Sequence, residues 1–404
     1  MRLLIALILS LVCWLAPAVV PRGSLFPAVA MAVEISPEAA LSRLFTASEV
    51  RASWFANSFL SQISLGQIEQ ILQGIVASMG RYQDVSAVDD QYLLMFEKGT
   101  VPARIVLNSA GQITGLLFEP PQIAALEDLG SLKTSFAELP GEVSVLMLKD
   151  GAELFSLNVD RPLAVGSAFK LLILQVLQQQ IEVGQHRWDE VVQLQDAYRS
   201  LPSGRLQDWP TDTPLTVQSL ATMMISESDN TAADHLLALV GKDAVETLSG
   251  RNRPFLSTRE FFLLKDPQNQ KLLNRYRQGT ERERRGVLKA IANLPLPGVN
   301  IFNNGPLALD VEWFMTGQEL CDAIATIASL PPMQVNPGLA NPRDWQRIAF
   351  KGGSEPGVEN FTTDLMDADG HHYCAVATWN NPSGIDELQF SSLYRTALLS
   401  LQKQ

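Results

Sequence analysis

The stretch that decides the fold of this chain is Ala164-Val165-Gly166-Ser167-Ala168-Phe169-Lys170, followed directly by the apolar run Leu171–Leu177. The run is apolar on nearly all sides, which is typical of a helix buried in a protein core. Ser167 lies at the start of this predicted helix and Lys170 three residues later, so both side chains share one face. A serine becomes a nucleophile when a base takes its proton, and a buried lysine with a lowered pKa can be that base. The pattern favours a nucleophilic serine, although this spacing also arises by chance in a long chain.

Two further polar motifs lie downstream. Ser228-Asp229-Asn230 directly precedes a helical run at 235–240, where its side chains could equally be a helix cap. Lys351-Gly352-Gly353-Ser354 ends a short apolar stretch. Its glycines favour an edge strand that a substrate backbone can approach closely, and a plain loop is the alternative. Chance agreement of all three motifs, in this order, is far rarer than chance agreement of one.

The order Ser-x-x-Lys, Ser-Asp-Asn, Lys-[Thr/Gly]-Gly is that of class A β-lactamases and penicillin-binding proteins. Residues 140–404 resemble the serine β-lactamase and penicillin-binding-protein superfamily, and the run from Met224 to Asp234 is especially close to class A. The overall layout is similar to that of the β-lactamase-like proteins of clavulanic acid biosynthesis. The resemblance implies an antiparallel sheet combined with an all-helical subdomain.

The resemblance also implies a role for each motif residue. Ser167 would attack a β-lactam, ester or peptide carbonyl, and the backbone N–H groups of Ser167 and Ser354 would bind the resulting oxyanion. The implied catalytic residues are Ser167, Lys170, Ser228 and Lys351, and the implied substrate-binding residues are Asn230, Gly353 and Ser354. Among these, Lys351 and Ser354 would meet a substrate carboxylate, and Asn230 would hold a substrate amide. We expect no cofactor and no metal.

Two departures from the class A pattern limit the expected chemistry. The glutamate that activates the deacylating water belongs to an E-x-x-L-N motif, and the nearest match here is Glu260-Phe261-Phe262-Leu263-Leu264. Glu260 is therefore a possible deacylation residue or a structural one. The third motif has Gly352 where Thr or Ser is usual. We expect an acyl-enzyme that is hydrolysed slowly. The alternatives are a penicillin-recognising binding protein with little turnover, a D,D-peptidase or esterase acting on the cell envelope, and an amide hydrolase.

The N-terminus has the features of an export signal. Arg2 is followed by an apolar run from Leu3 to Val20, and small residues suited to cleavage stand at Ala30 and Ala32. We expect residues 1–32 to be removed and the protein to be periplasmic or extracellular, with an uncleaved membrane anchor as the alternative. An oxidising compartment permits a disulfide between Cys321 and Cys374, but their apolar flanks predict buried free thiols.

Length and composition predict two domains and exclude several classes of protein. The chain has 404 residues, of which 46% are apolar and 18% charged, so it is not a disordered tail protein. Its 43 acidic and 31 basic residues give a net charge of −12, which argues against nucleic-acid binding. Helices followed by an antiparallel meander predict a small α+β domain at 35–122, which resembles NTF2/steroid-isomerase-like or cystatin-like folds. Residues 123–139 are the predicted linker, and 140–404 the second domain of a monomer.

Overall fold

A computed structural model describes residues 35–88, 91–123 and 129–402 of the chain. The chain divides into two compact units, Leu3–Glu127 and Asp128–Gln404. The division falls inside the predicted linker 123–139. The helix Leu129–Ala137 of that segment packs within the second unit, where the ring of Phe136 contacts that of Phe390. The predicted signal segment, residues 1–32, lies outside the described residues.

The described part of the first unit consists of helices followed by an antiparallel sheet. Its strands follow the order β1-β2-β3-β4, and β5 pairs with β3. The helices are α1 Pro37–Thr46, α2 Asn57–Leu60 and α3 Leu65–Met79, and the strands are β1 Tyr82–Val88, β2 Gln91–Phe96, β3 Gly99–Leu107, β4 Ile113–Phe118 and β5 Gln122–Ile123. The resemblance of this unit to NTF2/steroid-isomerase-like folds stays a prediction.

Helix α3 forms where the apolar spacing predicts it. Ser64 and Gln67 make a reciprocal capping box at its start, which satisfies two backbone N–H groups that have no partner within the helix. Gly80 ends the helix with a φ of 79°, a conformation that residues with a Cβ rarely adopt. The face that carries Ile68 and Leu72 is buried in the apolar core of this unit.

The second unit combines a five-stranded antiparallel sheet with a group of helices. Its main sheet has the order β12-β13-β14-β6-β7, so strands from both ends of the unit are neighbours. The strands are β6 Glu142–Lys149, β7 Ala152–Leu157, β8 Leu163–Ala164, β9 Val191–Gln193, β10 Pro214–Thr216, β11 Phe314–Met315, β12 Arg347–Glu355, β13 Val358–Met366 and β14 His372–Asn380. The helices are α4 Leu129–Ala137, α5 Lys170–Glu182, α6 Val217–Ser226, α7 Asn230–Val240, α8 Lys242–Leu248, α9 Thr258–Lys265, α10 Gln270–Gln278, α11 Glu281–Ile291, α12 Gly317–Ile327 and α13 Glu387–Leu401.

The helical segment between β7 and β12 is built around α5. Every residue of α5 from Lys170 to Leu174 is buried, in agreement with the prediction of a helix that is apolar nearly all round. Helices α5, α6, α7 and α12 share one continuous apolar core with strands β6 and β14 of the main sheet. The predicted antiparallel sheet with an all-helical insert is confirmed.

The prediction of free thiols is wrong. Cys321 on α12 and Cys374 on β14 form a disulfide, with their Cα atoms 5.9 Å apart. The apolar neighbours of both cysteines correctly predict burial, since neither is more than 7% exposed. The pairing depends on α12 packing across β14, a contact between distant segments that local sequence does not reveal.

Candidate active site

The predicted nucleophile lies on a tight turn at the start of α5. Residues Gly166–Phe169 form a 3₁₀ helix that continues directly into α5, and Ser167 is the one partly exposed residue of this turn. A distant segment of the chain holds the start of this turn in place, because the backbone N–H of Val165 donates to the carbonyl of Trp313 at 3.0 Å. The hydroxyl of Ser167 is thus fixed at a helix N-terminus and remains reachable.

The amine of Lys170 contacts four oxygen atoms. Its Nζ lies 3.1 Å from Oγ of Ser167 and 3.1 Å from Oγ of Ser228. It lies closer, at 2.6 Å in each case, to the backbone carbonyl of Ser228 and to Oδ1 of Asn230. The side chain is fully buried, and no carboxylate in the described part of the chain forms an ion pair with it.

Ser228 joins the two lysines of the site. Nζ of Lys351 lies 3.0 Å from Oγ of Ser228, so this hydroxyl stands between the amines of Lys170 and Lys351. Ser228 has a φ of 56°, in the left-handed region that costs a residue with a Cβ about 1 kcal/mol or more. The next residue, Asp229, holds this conformation by accepting hydrogen bonds from the backbone N–H groups of Arg205 and Leu206.

Both lysines have lowered pKa values. Burial, and then the nearby charge of Lys351, hold the pKa of Lys170 well below its usual value. Burial alone lowers the pKa of Lys351 to about 7. The pair therefore spends much of its time near neutral pH with at least one amine uncharged, as proton transfer from a serine requires.

Asn230 contacts the protein rather than open space. Its Oδ1 accepts from Lys170 and its Nδ2 donates to the carbonyl of Leu201 at 3.0 Å. Only 6% of the residue is exposed. The resemblance implies that it holds a substrate amide, whereas in this structure both polar groups of the side chain are already engaged.

Gly353 allows β12 to touch the nucleophile turn. A Cβ added to Gly353 would lie 2.0 Å from the carbonyl oxygen of Val165 and 2.6 Å from the backbone nitrogen of Ser167. The missing side chain thus makes room for the protein's own backbone and brings the end of β12, with Ser354, beside Ser167. Ser354 is exposed there, and its cross-strand partner is the buried Glu359. Burial raises the pKa of Glu359 to about 8, and a hydrogen bond with Ser354 partly offsets that effect.

Glu260 has structural partners at the start of α9, and its possible deacylation role stays a prediction. It occupies the third position of α9, where its carboxylate accepts from the backbone N–H of Ser257 at 2.8 Å and the Ser257 hydroxyl caps the helix in return. The same carboxylate forms an ion pair with Lys242. Its sequence spacing reflects a capping box, a pattern in which glutamate is common for structural reasons.

Comparison with protein families agrees with this geometry. Residues 126–253, which include Ser167, Lys170, Ser228 and Asn230, match the β-lactamase enzyme family. The match covers about a third of the chain. The predicted relationship with serine β-lactamases and penicillin-binding proteins is thereby confirmed, and with it the enzyme class, a serine hydrolase of this type. No curated protein matches the chain.

Solved structures similar to the chain include β-lactamases and a penicillin-binding protein. PBP-A is 15% identical with a TM-score of 0.46, and the match covers 71% of this chain and all of PBP-A. The β-lactamase of Sphaerobacter thermophilus is 19% identical with a TM-score of 0.44, covering 68% of this chain and 95% of its own. A class A β-lactamase of Bacteroides cellulosilyticus is 16% identical with a TM-score of 0.47, covering 68% and 97%.

Among residues 35–88, 91–123 and 129–402, no group of three or more His, Cys, Asp or Glu side chains is arranged to hold a metal ion. Over the same ranges, no helix is both long and apolar enough to cross a membrane.

The sequence prediction missed the residues that support this β-lactamase-family site. Trp313 stacks on Phe169, with ring centroids 3.8 Å apart, and a buried ion cluster links Lys265 to Glu312 and Glu355. The sequence carries one usable signal, which is a lysine at the end of an otherwise apolar helical run, Phe261–Lys265. A lysine in that position is buried either with carboxylates that neutralise its charge or with a lowered pKa.

Proposed function

We propose that this protein is an exported serine hydrolase that forms an acyl-enzyme at Ser167 with a β-lactam, ester or peptide carbonyl and hydrolyses it slowly. Lys170 takes the proton of Ser167 as the hydroxyl attacks. Ser228 and Lys351 pass a proton to the leaving group, and the backbone N–H groups of Ser167 and Ser354 bind the oxyanion. Lys351 and Ser354 meet an anionic group of the substrate.

The hydrogen bonds of Lys170 are the observation that carries the proposal. A neutral amine has two N–H groups and one lone pair. The carbonyl oxygens of Ser228 and Asn230 can only accept, and at 2.6 Å each they take the two N–H groups. The lone pair is left for a hydroxyl group, and the Oγ atoms of Ser167 and Ser228 both lie 3.1 Å away, so Lys170 can accept the proton of Ser167. This arrangement gives Lys170 the direction as well as the pKa of a general base.

The contact between Ser228 and Lys351 supports the second proton step. Attack at the carbonyl places a proton on Lys170, and the leaving nitrogen or oxygen needs one. The Ser228 hydroxyl lies within hydrogen-bonding distance of both amines, so it can give its proton to the leaving group and regain one from a lysine. Because the pKa of Lys351 is about 7, its ammonium and its neutral form are both populated at neutral pH, so it can supply that proton.

Slow deacylation follows from what surrounds the lysine pair. Hydrolysis of an acyl-enzyme needs a group that activates water, and in the described residues no carboxylate forms an ion pair with Lys170 or Lys351. Glu260 is engaged in its capping box and with Lys242. Deacylation is then left to the lysines themselves, which supports a long-lived adduct.

The experiment is covalent labelling with a fluorescent penicillin, followed by mass spectrometry over several hours. Wild type is expected to gain one adduct at Ser167 that decays slowly, and Ser167→Ala is expected to gain none. Glu260→Gln is the matched control, since a capping residue leaves the lifetime of the adduct unchanged. Equal labelling of Ser167→Ala would refute the nucleophile. If the adduct has a shorter lifetime in wild type than in Glu260→Gln, Glu260 takes part in deacylation. An adduct that never decays would favour a penicillin-recognising protein without turnover.

Export is part of the same proposal. The charged start and apolar run of residues 1–20 support it, and so does the disulfide between Cys321 and Cys374, because such bonds persist mainly in oxidising compartments. Cell fractionation of the full chain, with N-terminal sequencing of the mature protein, tests both export and cleavage near Ala30 or Ala32. Recovery of the uncleaved chain from the cytoplasm would contradict it.

A further inference from the structure

A buried ion cluster lies outside the lysine pair of the active site. Lys265, the last residue of α9, contacts a carboxyl oxygen of Glu312 and, at 2.8 Å, one of Glu355. The side chains of Lys265 and Glu312 have no exposed surface, and that of Glu355 is 13% exposed. Burial raises the pKa of Glu312 well above its usual value, and the charge of Glu355 adds to this effect. The cluster thus holds one ammonium group between two carboxyl groups.

Each of the two glutamates belongs to a segment that carries or supports one of the proposed oxyanion donors. Glu355 is the last residue of β12 and directly follows Ser354. Glu312 directly precedes Trp313, whose carbonyl accepts from Val165 at the start of the nucleophile turn. Lys265 therefore links the segment that supports Ser167 to the strand end that presents Ser354.

Stacked rings connect the same ammonium group to the turn of Ser167 by a second route. Nζ of Lys265 lies 4.1 Å from the centre of the Phe261 ring. That ring stacks on Trp313 at 4.8 Å, and Trp313 stacks on Phe169 at 3.8 Å. We call Phe261, Trp313 and Phe169 the aromatic column. Phe169 is part of the Gly166–Phe169 turn, so the column reaches the turn itself.

We propose that Lys265 is a positioning residue for the oxyanion hole, which sets the spacing between the backbone N–H groups of Ser167 and Ser354 by holding Glu312 and Glu355 together. This inference rests on the proposed function. Each donor must point at one oxygen atom, and a displacement of about 1 Å can cost about 10²-fold in rate. Removing the ammonium group frees two carboxyl groups to separate, and the two donors move with them.

The test compares Lys265→Met with wild type in the full chain, using the same fluorescent penicillin. The saturating acylation rate constant is expected to fall 10- to 100-fold, while the half-saturating concentration and the final labelled fraction stay unchanged. Hydrolysis of the adduct is expected to slow by a similar factor, because both steps pass through an oxyanion at the same place. A role in stability alone would instead lower the labelled fraction and leave the rate constant unchanged, and that result would overturn the inference.

Two further variants keep the test decisive. Lys242→Met breaks the ion pair of Glu260 on the same helix, away from β12 and Trp313, and is expected to acylate within twofold of wild type. Lys265→Met with Glu312→Gln and Glu355→Gln removes every charge of the cluster, so an unpaired buried carboxylate does not prevent folding. This triple variant is also expected to be slow. A wild-type rate would overturn the positioning role. Failure of wild type itself to label would refute the proposed function, and normal labelling with unaffected variants would refute this inference alone.

Discussion

The amide of Asn230 accepts a hydrogen bond from the amine of Lys170 without placing a negative charge beside it. An isosteric carboxylate at this position would lie 2.6 Å from Nζ and would raise the pKa of Lys170. We predict that Asn230→Asp shifts the acid limb of the pH profile of acylation to higher pH by about two units. The acylation rate constant at pH 7 should fall about 100-fold. The measurement is the acylation rate constant between pH 5 and 10.

Asn230→Ser is the control for this prediction. It removes the amide without adding a charge. The acylation rate constant should therefore fall because Lys170 is less well positioned, while the acid limb of the pH profile does not shift to higher pH. An unchanged pH profile in Asn230→Asp would show that the charge of Lys170 does not control acylation.

Lys351 makes substrate binding depend on pH. Burial lowers its pKa to about 7, so the ammonium form predominates at pH 6 and the neutral amine at pH 8.5. The group loses its positive charge as the pH rises through 7, and a substrate carboxylate loses its counter-ion. We predict that the half-saturating concentration of nitrocefin, which carries a carboxylate, rises about tenfold from pH 6 to 8.5. The half-saturating concentration of the neutral ester p-nitrophenyl acetate should not rise in the same way. An equal change for both substrates would contradict the role of Lys351.

At the scale of elements, the function depends on how closely β12 approaches the turn of Ser167. A methyl group at Gly353 would overlap the backbone of Val165 and Ser167, so the strand end has to move away. We predict that Gly353→Ala lowers the acylation rate constant about 10²- to 10³-fold, the loss expected when an oxyanion donor is displaced. Stopped-flow fluorescence with the labelled penicillin measures it.

Gly286→Ala on α11 is the matched control for Gly353→Ala. A Cβ at Gly286 meets no atom within 4 Å, and alanine favours a helix by about 1 kcal/mol over glycine. This variant should acylate like wild type and unfold at the same or a higher temperature. Near-normal acylation by Gly353→Ala would show that the contact between strand and turn is not needed.

Elements with strong local signals were predictable from sequence. The hairpin of β6 and β7 follows from Asp150-Gly151, and Asp150 and Gly151 indeed adopt positive φ angles in that turn. Strand β1, Tyr82–Val88, was not predicted because Asp84 and Ser86 interrupt its apolar pattern and it is largely exposed. The spacing around Glu260 is ambiguous, because the residues that suggested catalysis also form a helix cap.

At the scale of the whole molecule, the disulfide ties the helical insert to the main sheet. Cys321 and Cys374 are 53 positions apart, and closing a loop of that size stabilises the folded state by up to about 4 kcal/mol. We predict that Cys321→Ala with Cys374→Ala lowers the free energy of unfolding by about 2–4 kcal/mol. Urea unfolding of both proteins at equal pH measures it. Two titratable thiols in denatured wild type, without reductant, would show that the bond does not form.

The three motifs were predictable because each is short, and the turn and helix they sit on are local structures. What assembles them was not predictable. Lys265 and Glu355 are 90 positions apart, and the partner of Val165 is Trp313. Such contacts depend on which helix packs against which strand, and the composition of neither segment specifies it. The hydrogen bonds of Asn230 with Leu201 and Lys170 were not predictable either, since both are long-range, and its role toward a substrate stays a prediction.

The position of β6 beside β14 has a consequence for biosynthesis. Val143 pairs with Trp379, so more than half of the chain separates two neighbouring strands of the main sheet. Loop-closure entropy makes such distant pairings slow to form, and topologies of high contact order fold slowly. During translation, β6 and β7 can form only a two-stranded ribbon until the last fifth of the polypeptide has emerged. The main sheet of the second unit can therefore close only near the end of synthesis.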